Sequence, residues 1–269
     1  MSKTVIHPGA QVHPKAELAD GVEVGPFAIV GERVKLGPGT HVGHHATVWG
    51  PATLGARNRI YPYAFLGGDP QDLTFKGEPT TLTIGDDNVF REYVTVNRGT
   101  MKGGGDTRLG SKNLIMAYCH IAHDCTLEDG VIMANGVQVG GHVLVESHVT
   151  FGGLAAVHHF VTVGRQSFVG GLTRVVHDVP PFMTVEGNPA KIRCVNTVGL
   201  KRRGVSATHI QTLKEAYKLL YRSGRLRKES LEILEARWGD VNEVMALVRY
   251  LRAGEASKQG RIREALRTW

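Results

Sequence analysis

The densest group of chemically able side chains in this chain is His120-Ile121-Ala122-His123-Asp124. Imidazole is the side chain whose ordinary pKa lets it take and return a proton near neutral pH. A carboxylate beside it can hold one tautomer and stabilise the imidazolium that forms. Further histidines follow at Gly140-Gly141-His142 and His158-His159. Three readings fit these residues: a general base with its orienting acid, a zinc site built from histidines, or solvated histidines on a scaffold that does no chemistry. No nucleophile accompanies them. Cys119 and Cys125 take small inward positions of the repeat described next and read as inert core thiols. Direct attack by a bound substrate is therefore expected rather than a covalent intermediate.

The elements that must position these residues are written in a period of six. Ile6, Val12, Leu18, Val24, Val30, Leu36, Val42, Val48, Leu54, Ile60 and Leu66 fall six apart without a miss. The period resumes at Ile84, Phe90 and Val96, and after a one-residue phase shift runs from Leu109 to Val175. Six is neither a helical nor a simple alternating period. It fits a short strand followed by a corner, three of which close a triangular coil of about 18 residues in a parallel β-helix, with coils about 4.8 Å apart. Small residues two before the aliphatic (Ala10, Ala16, Ala28, Ala46, Ala52) suit a narrow interior. Glycine after it (Gly25, Gly31, Gly37, Gly43, Gly55) suits tight turning or close packing. One coil on from His123 stands Gly141, then His159, then His177, while Asp124 leads to His142 and His158 lies over Gly140 and Ala122. The expected result is a groove along one prism edge, with imidazoles on its wall. Spacing alone does not give the handedness.

Two stretches break the pattern and read as loops, near 67–83 and 97–108, the second with a flexible triple glycine at 103–105. The prism is expected over 1–186 and a helical domain over 187–269, with helices at 206–222 (Ser206 as N-cap), 228–237, 241–252 and 259–267. Such helices would cap an open β edge. The net charge of +7 is concentrated there, with sixteen Lys and Arg against eight Asp and Glu from residue 196 onward. That excess, including Lys201-Arg202-Arg203, suits an anionic partner. The N-terminal residues hold no apolar run of signal-peptide length, no stretch could span a bilayer, and three cysteines without CxxC pairing suit a reducing compartment. A cytoplasmic protein is expected.

The chain closely resembles the UDP-N-acetylglucosamine O-acyltransferases that open lipid A biosynthesis. The likeness rests on QDL at 71–73, GEPT at 77–80, RGT at 98–100, HIAHDC at 120–125, GGH at 140–142, AVHHF at 156–160, DVPP at 178–181, EGNPA at 186–190, and GLKRRG followed by AYKLLYRSG. The resemblance implies a left-handed helix, a homotrimer with active sites in clefts between subunits, and transfer of a 3-hydroxyacyl chain from acyl carrier protein to the glucosamine 3-hydroxyl, with no cofactor and no metal. By matching position His123 looks like the general base, Asp124 its orienting partner and the Gly141 N–H the oxyanion donor. His120, His142 and His158 would line the cleft, Gln71 and Asp72 would contact the sugar nucleotide, and Asn196, Arg202 and Arg203 its UDP end. Gly171 would act as an acyl-length ruler, placed on the same corner column as His123 but shifted by about twelve residues. The chain departs from the family pattern at Thr74 (commonly lysine), Asn97 (histidine), His159 (glutamine) and Val198 (glutamate), which bears on the nucleotide contacts and on whether the acceptor is a 3-hydroxy or a 3-amino sugar. A zinc-dependent carbonic anhydrase-like enzyme on the same solenoid is the alternative reading.

Overall fold

A computed structural model describes residues 3–256. The six-residue period becomes strands of mostly two residues, which up to Arg174–Val175 are sorted in strict rotation onto three parallel faces; with the closing hairpin added to the first, the faces hold 11, 9 and 8 strands. The first face starts at Val5–Ile6, the second at Gln11–Val12 and the third at Glu17–Leu18. Within a face each strand pairs with the strand one coil on, as His120 with Gln138 and Ile121 with Val139. The periodic aliphatics fill the interior: Val30, Val48, Leu66, Val96, Ile121 and Val139 are all buried. Ala28, Ala46 and Ala52 are buried beside them, as a narrow bore requires.

The corners follow a rule that the periodicity did not disclose. The glycines after the aliphatics do not take positive φ. They are there for close approach: a Cβ on Gly37 would lie 2.4 Å from the Gly55 carbonyl carbon, and one on Gly55 2.0 Å from Asp86 Oδ1. The left-handed corner position is instead held mostly by bulky residues, among them Phe27, Tyr63, Tyr93, Tyr118, Asp124, His142 and Phe160, with φ between 58° and 64°. Such a conformation costs an L-residue energy. Several are held there by backbone hydrogen bonds to the preceding coil, such as His142 N to His123 O at 3.0 Å, Tyr118 N to Glu92 O at 3.0 Å and Phe160 N to Gly141 O at 3.1 Å. At the corner between the third and first faces, buried Asn58, Asn88 and Asn113 pass side-chain hydrogen bonds from coil to coil. That ladder satisfies backbone groups which a turn would otherwise bury unpaired.

Both loops leave the prism at one place, the corner between the second and third faces. Strand Phe65–Gly68 is joined to Thr81–Ile84 by the first, and Thr95–Asn97 to Asp106–Leu109 by the second, which contains a single 3-10 turn at Met101–Gly103. The following coil turns that same corner with Ala122-His123-Asp124-Cys125, between His120–Ile121 and Thr126–Leu127. The prism ends in an antiparallel pair, Met183–Glu186 with Lys191–Val195. The expected domain boundary at 186/187 falls in the turn of that hairpin. Four helices follow among the described residues: α1 (Thr197–Arg202), α2 (Ala207–Tyr221), α3 (Arg227–Trp238) and α4 (Asn242–Ala256). Ser206 caps α2 by accepting from His209 N at 3.1 Å, as expected. The short α1 was not foreseen, because the basic run hides its one buried anchor, Leu200. Tyr217 of α2 donates to Arg193 O at 2.6 Å and Tyr250 of α4 to Thr162 O at 2.9 Å, fastening the helices over the prism end. The helix expected at 259–267 lies outside the described residues. None of the described helices is long and apolar enough to cross a membrane.

Candidate active site

Three successive coils supply one site because all three turn the same corner. His123 Nδ1 lies 2.7 Å from Asp124 Oδ2. The Asp124 side chain is wholly buried, whereas His123 keeps 14% exposure, so of the pair only the imidazole reaches the surface. Burial by itself would raise the Asp124 pKa. The hydrogen bonds from His123 and from the Thr100 N–H (2.6 Å) and hydroxyl (2.7 Å), with His142 nearby, outweigh it and hold the carboxyl below its ordinary range. Asp124 is thus a committed anion that fixes the His123 tautomer, with Nδ1 protonated and Nε2 free to take a proton.

Gly141 lies one coil on, and its lack of a side chain is what lets His123 sit where it does. A Cβ there would be 2.7 Å from His123 Cε1 and 2.9 Å from Nε2. The Gly141 N–H has no hydrogen-bond partner among the described residues and lies beside the imidazole. His142 stacks on Phe160 at 4.5 Å and meets His123 edge-on at 5.1 Å, with Nε2 3.6 Å from Asp124 Oδ2. His120 accepts or donates at Nδ1 with Thr95 Oγ1 at 2.8 Å. Burial lowers the pKa of both His120 and His142, reinforced at each by neighbouring His123. Both are therefore neutral near pH 7. His158 stands at the same edge, its ring 3.8 Å from that of His159.

The first loop brings Asp72 to this cluster. Its carboxylate accepts from Thr74 N and Oγ1 at 2.7 and 2.8 Å, which lowers its pKa, with weaker help from Lys102 and His123. Lys102 Nζ, from the second loop, donates to Thr74 Oγ1 at 2.8 Å. A cation therefore stands at Thr74, where the resemblance leads one to expect a lysine. Gln71 is exposed on the same loop.

Four expected site residues are not at this corner. Asn196, Arg202 and Arg203 line a separate cavity of about 210 Å³ with Ile132, His148, Thr150 and Gln166, against the first face. The Asn196 amide is already engaged: Oδ1 caps α1 at Gly199 N and Nδ2 donates to Gln166 O. Gly171 does not share the His123 column. It follows Phe168–Val169 of the first face and turns the corner between the first and second faces, where a Cβ would meet Gly153 O at 3.3 Å. The cause is the three-face rotation, since a displacement of 48 residues is not a whole number of coils. The triple glycine at 103–105 is also not a loose spacer. A Cβ on Gly103 would fall 2.0 Å from Asp124 Cγ, and Gly104 and Gly105 take φ of 95° and 84°. Thr100, Lys102, Thr95 and Phe160 escaped the sequence reading. Thr100 and Phe160 lie within the quoted RGT and AVHHF motifs, but spacing cannot locate a residue across an irregular insertion.

The thiols are spent on packing. Cys119 donates to Ala134 O at 3.0 Å and Cys125 to Gly140 O at 3.1 Å, and burial pushes their pKa values up to about 11 and about 12.

Comparison with known proteins agrees with this geometry. The model of UDP-N-acetylglucosamine O-acyltransferase domain 2 matches residues 178–262, and that of the bacterial transferase hexapeptide matches 106–141. The chain is 51% identical over 247 residues to the acyl-(acyl-carrier-protein)–UDP-N-acetylglucosamine O-acyltransferase of Anaeromyxobacter sp. (strain Fw109-5), covering 92% of this chain and 96% of that one. It is 46% identical over 255 residues to the protein of the same name from Myxococcus xanthus, covering 95% and 98%. Among solved structures, the UDP-N-acetylglucosamine O-acyltransferase of Moraxella catarrhalis superposes with a TM-score of 0.90 at 40% identity, over 96% of this chain and 99% of that one. With its left-handed hexapeptide prism, C-terminal helices and histidine corner, this chain belongs to the UDP-N-acetylglucosamine O-acyltransferase family and is an acyltransferase.

Proposed function

We propose that this chain transfers a (3R)-3-hydroxyacyl group from acyl carrier protein to the glucosamine 3-hydroxyl of UDP-N-acetylglucosamine, the first step of lipid A biosynthesis, in the cytoplasm and as a homotrimer. The observation that carries the chemistry is His123, held by a buried anionic Asp124 and flanked by the free Gly141 N–H. His123 Nε2 removes the hydroxyl proton as the sugar oxygen attacks the thioester carbonyl. The Gly141 N–H receives the developing oxyanion. Collapse expels the carrier's thiolate, which takes the proton back from His123. No covalent enzyme intermediate and no cofactor is needed, because a thioester already carries a good leaving group.

The trimer is supported by where the remaining residues lie. His123 turns one edge of the second face, whereas Asn196, Arg202 and Arg203 lie against the first. They share a cleft when the second face of one subunit stands against the first face of its neighbour. Repeated head-to-tail, that contact closes a ring about the corner common to both faces. This corner bears an exposed file of Phe27, Tyr63, Tyr93, Tyr118, Leu154 and Leu172, an apolar seam unlike an ordinary solvated edge. The excess of basic residues from 196 onward suits an acidic carrier protein and the nucleotide phosphates.

A zinc enzyme is the second reading, since ligating atoms of His123, Asp124 and His142 all lie within 4.8 Å of one another. Against it, both Asp124 oxygens are already taken by Thr100 and His123. The deciding experiment is acyl transfer from a series of 3-hydroxyacyl carrier-protein thioesters to UDP-N-acetylglucosamine and to its 3-amino analogue, before and after prolonged chelation. Transfer to the 3-hydroxyl that survives chelation is expected. Failure with UDP-N-acetylglucosamine, or loss of turnover on removing a stoichiometric zinc ion, overturns the proposal.

A further inference from the structure

The most engaged polar group in the site belongs to a residue that touches no substrate. We infer that Thr100, on the second loop, is a positioning residue that sets the strength and direction of the Asp124–His123 contact. The inference rests on His123 acting as the base, and it adds a part of the machinery that the His–Asp pair alone does not supply.

Thr100 grips Asp124 with two donors. Its backbone N–H reaches Oδ1 at 2.6 Å and its hydroxyl reaches Oδ2 at 2.7 Å, the same oxygen that holds His123 Nδ1. A carboxylate with no exposure has no water to share its charge, so its donors decide both its ionisation and its orientation. The grip is built from several directions. The Asp124 N–H donates to Thr107 Oγ1 at 2.8 Å, and Gly103 closes over the carboxyl so tightly that no Cβ fits. The Thr100 hydroxyl also accepts from Gly103 N at 3.3 Å, fastening the 3-10 turn to the residue that holds Asp124. Thr100 is 4% exposed, so substrate does not reach it.

The consequence is specific to the hydroxyl. With Oδ2 shared between Thr100 and His123, part of its charge is spent on Thr100. Thr100→Val keeps the shape and the backbone donor but leaves Oδ2 to His123 alone. The imidazolium is then held more strongly and the imidazole less well aligned. The base must be neutral to act, so the acid limb of the turnover profile moves to higher pH. The other charged or titratable groups near the pair are His120, His142, Asp72, Lys102 and the Cys125 thiol, and none of them is replaced in this variant.

The test compares Thr100→Val and Thr100→Ser with wild type under saturating carrier-protein thioester and sugar nucleotide. Thr100→Val should lower kcat about tenfold to a hundredfold, the range for one charge-assisted hydrogen bond. KM for both substrates should stay within about twofold and the acid limb should rise by about half a pH unit. Thr100→Ser, which restores the donor, should recover kcat to within about threefold. An unchanged kcat and acid limb in Thr100→Val overturns the inference. So does a loss that Thr100→Ser fails to rescue while its melting temperature matches wild type. If instead wild type and His123→Ala turn over alike, it is the assignment of His123 as base that has failed, and Thr100 can be judged separately from its effect on the ionisation of Asp124 followed by NMR.

Discussion

Two edges of the same prism carry the same backbone and opposite chemistry. Between the second and third faces the left-handed position is filled by Asp124, His142 and Phe160, and between the first and second by Tyr63, Tyr93, Tyr118, Leu154 and Leu172. The φ values agree within a few degrees, from 57° to 64°. At the first of these edges rings and carboxylate are drawn together by hydrogen bonds and two inserted loops. At the second, Tyr63, Tyr93 and Tyr118 stack parallel at 4.9–5.2 Å with large exposure. A solenoid corner is thus a neutral mount. It delivers a side chain outward every coil, and side-chain identity together with the two inserted loops makes one edge a polar cluster and the other an apolar seam.

The largest effect that would test this contrast is at His123. His123→Ala should lower turnover by about 10²–10⁴ with the melting temperature unchanged, the range for losing a general base. Near-normal turnover in a folded variant would show that the histidine edge is ordinary surface. A second test joins the edges. Gly171 belongs to the seam corner, so in the proposed trimer it would measure the acyl chain only across a subunit boundary. Four methylenes excluded by Gly171→Met amount to about 3 kcal/mol, a change of about a hundredfold in preference between donors of about ten and fourteen carbons. An unchanged donor ratio would mean that the groove ends elsewhere. The smallest effect concerns the seam itself. Replacing Tyr93 or Tyr118 by Glu should raise the concentration at which the proposed trimer dissociates by about tenfold, followed by sedimentation velocity across a dilution series. Wild-type protein sedimenting as a monomer, or variants identical to it, would remove the seam from the assembly.

Much of the fold was legible because a repeat needs only local rules. Val12, Val30, Val48 and Leu66 announce their inward direction by spacing, and Ser206 announces a helix start by its type. The same arithmetic put His142 and Gly141 one coil from Asp124 and His123, because no insertion intervenes between residues 109 and 175. It failed for Gly171, where corners were counted as one column instead of three, and for the triple glycine, whose packing on Asp124 has no periodic signature.

By itself, then, the order of residues determined the strands, their rotation around the prism, the small bore and the file of histidines. Each depends on neighbours at most one coil away, and the parallel pairing repeats that relation without further information. Only the tertiary structure decided which corner each loop leaves, that Thr100 grips the carboxylate from 24 residues away, and that Lys102 reaches Thr74 between two insertions. Those contacts join irregular segments whose paths are set by packing against the prism, and no period in the chain encodes where such segments end.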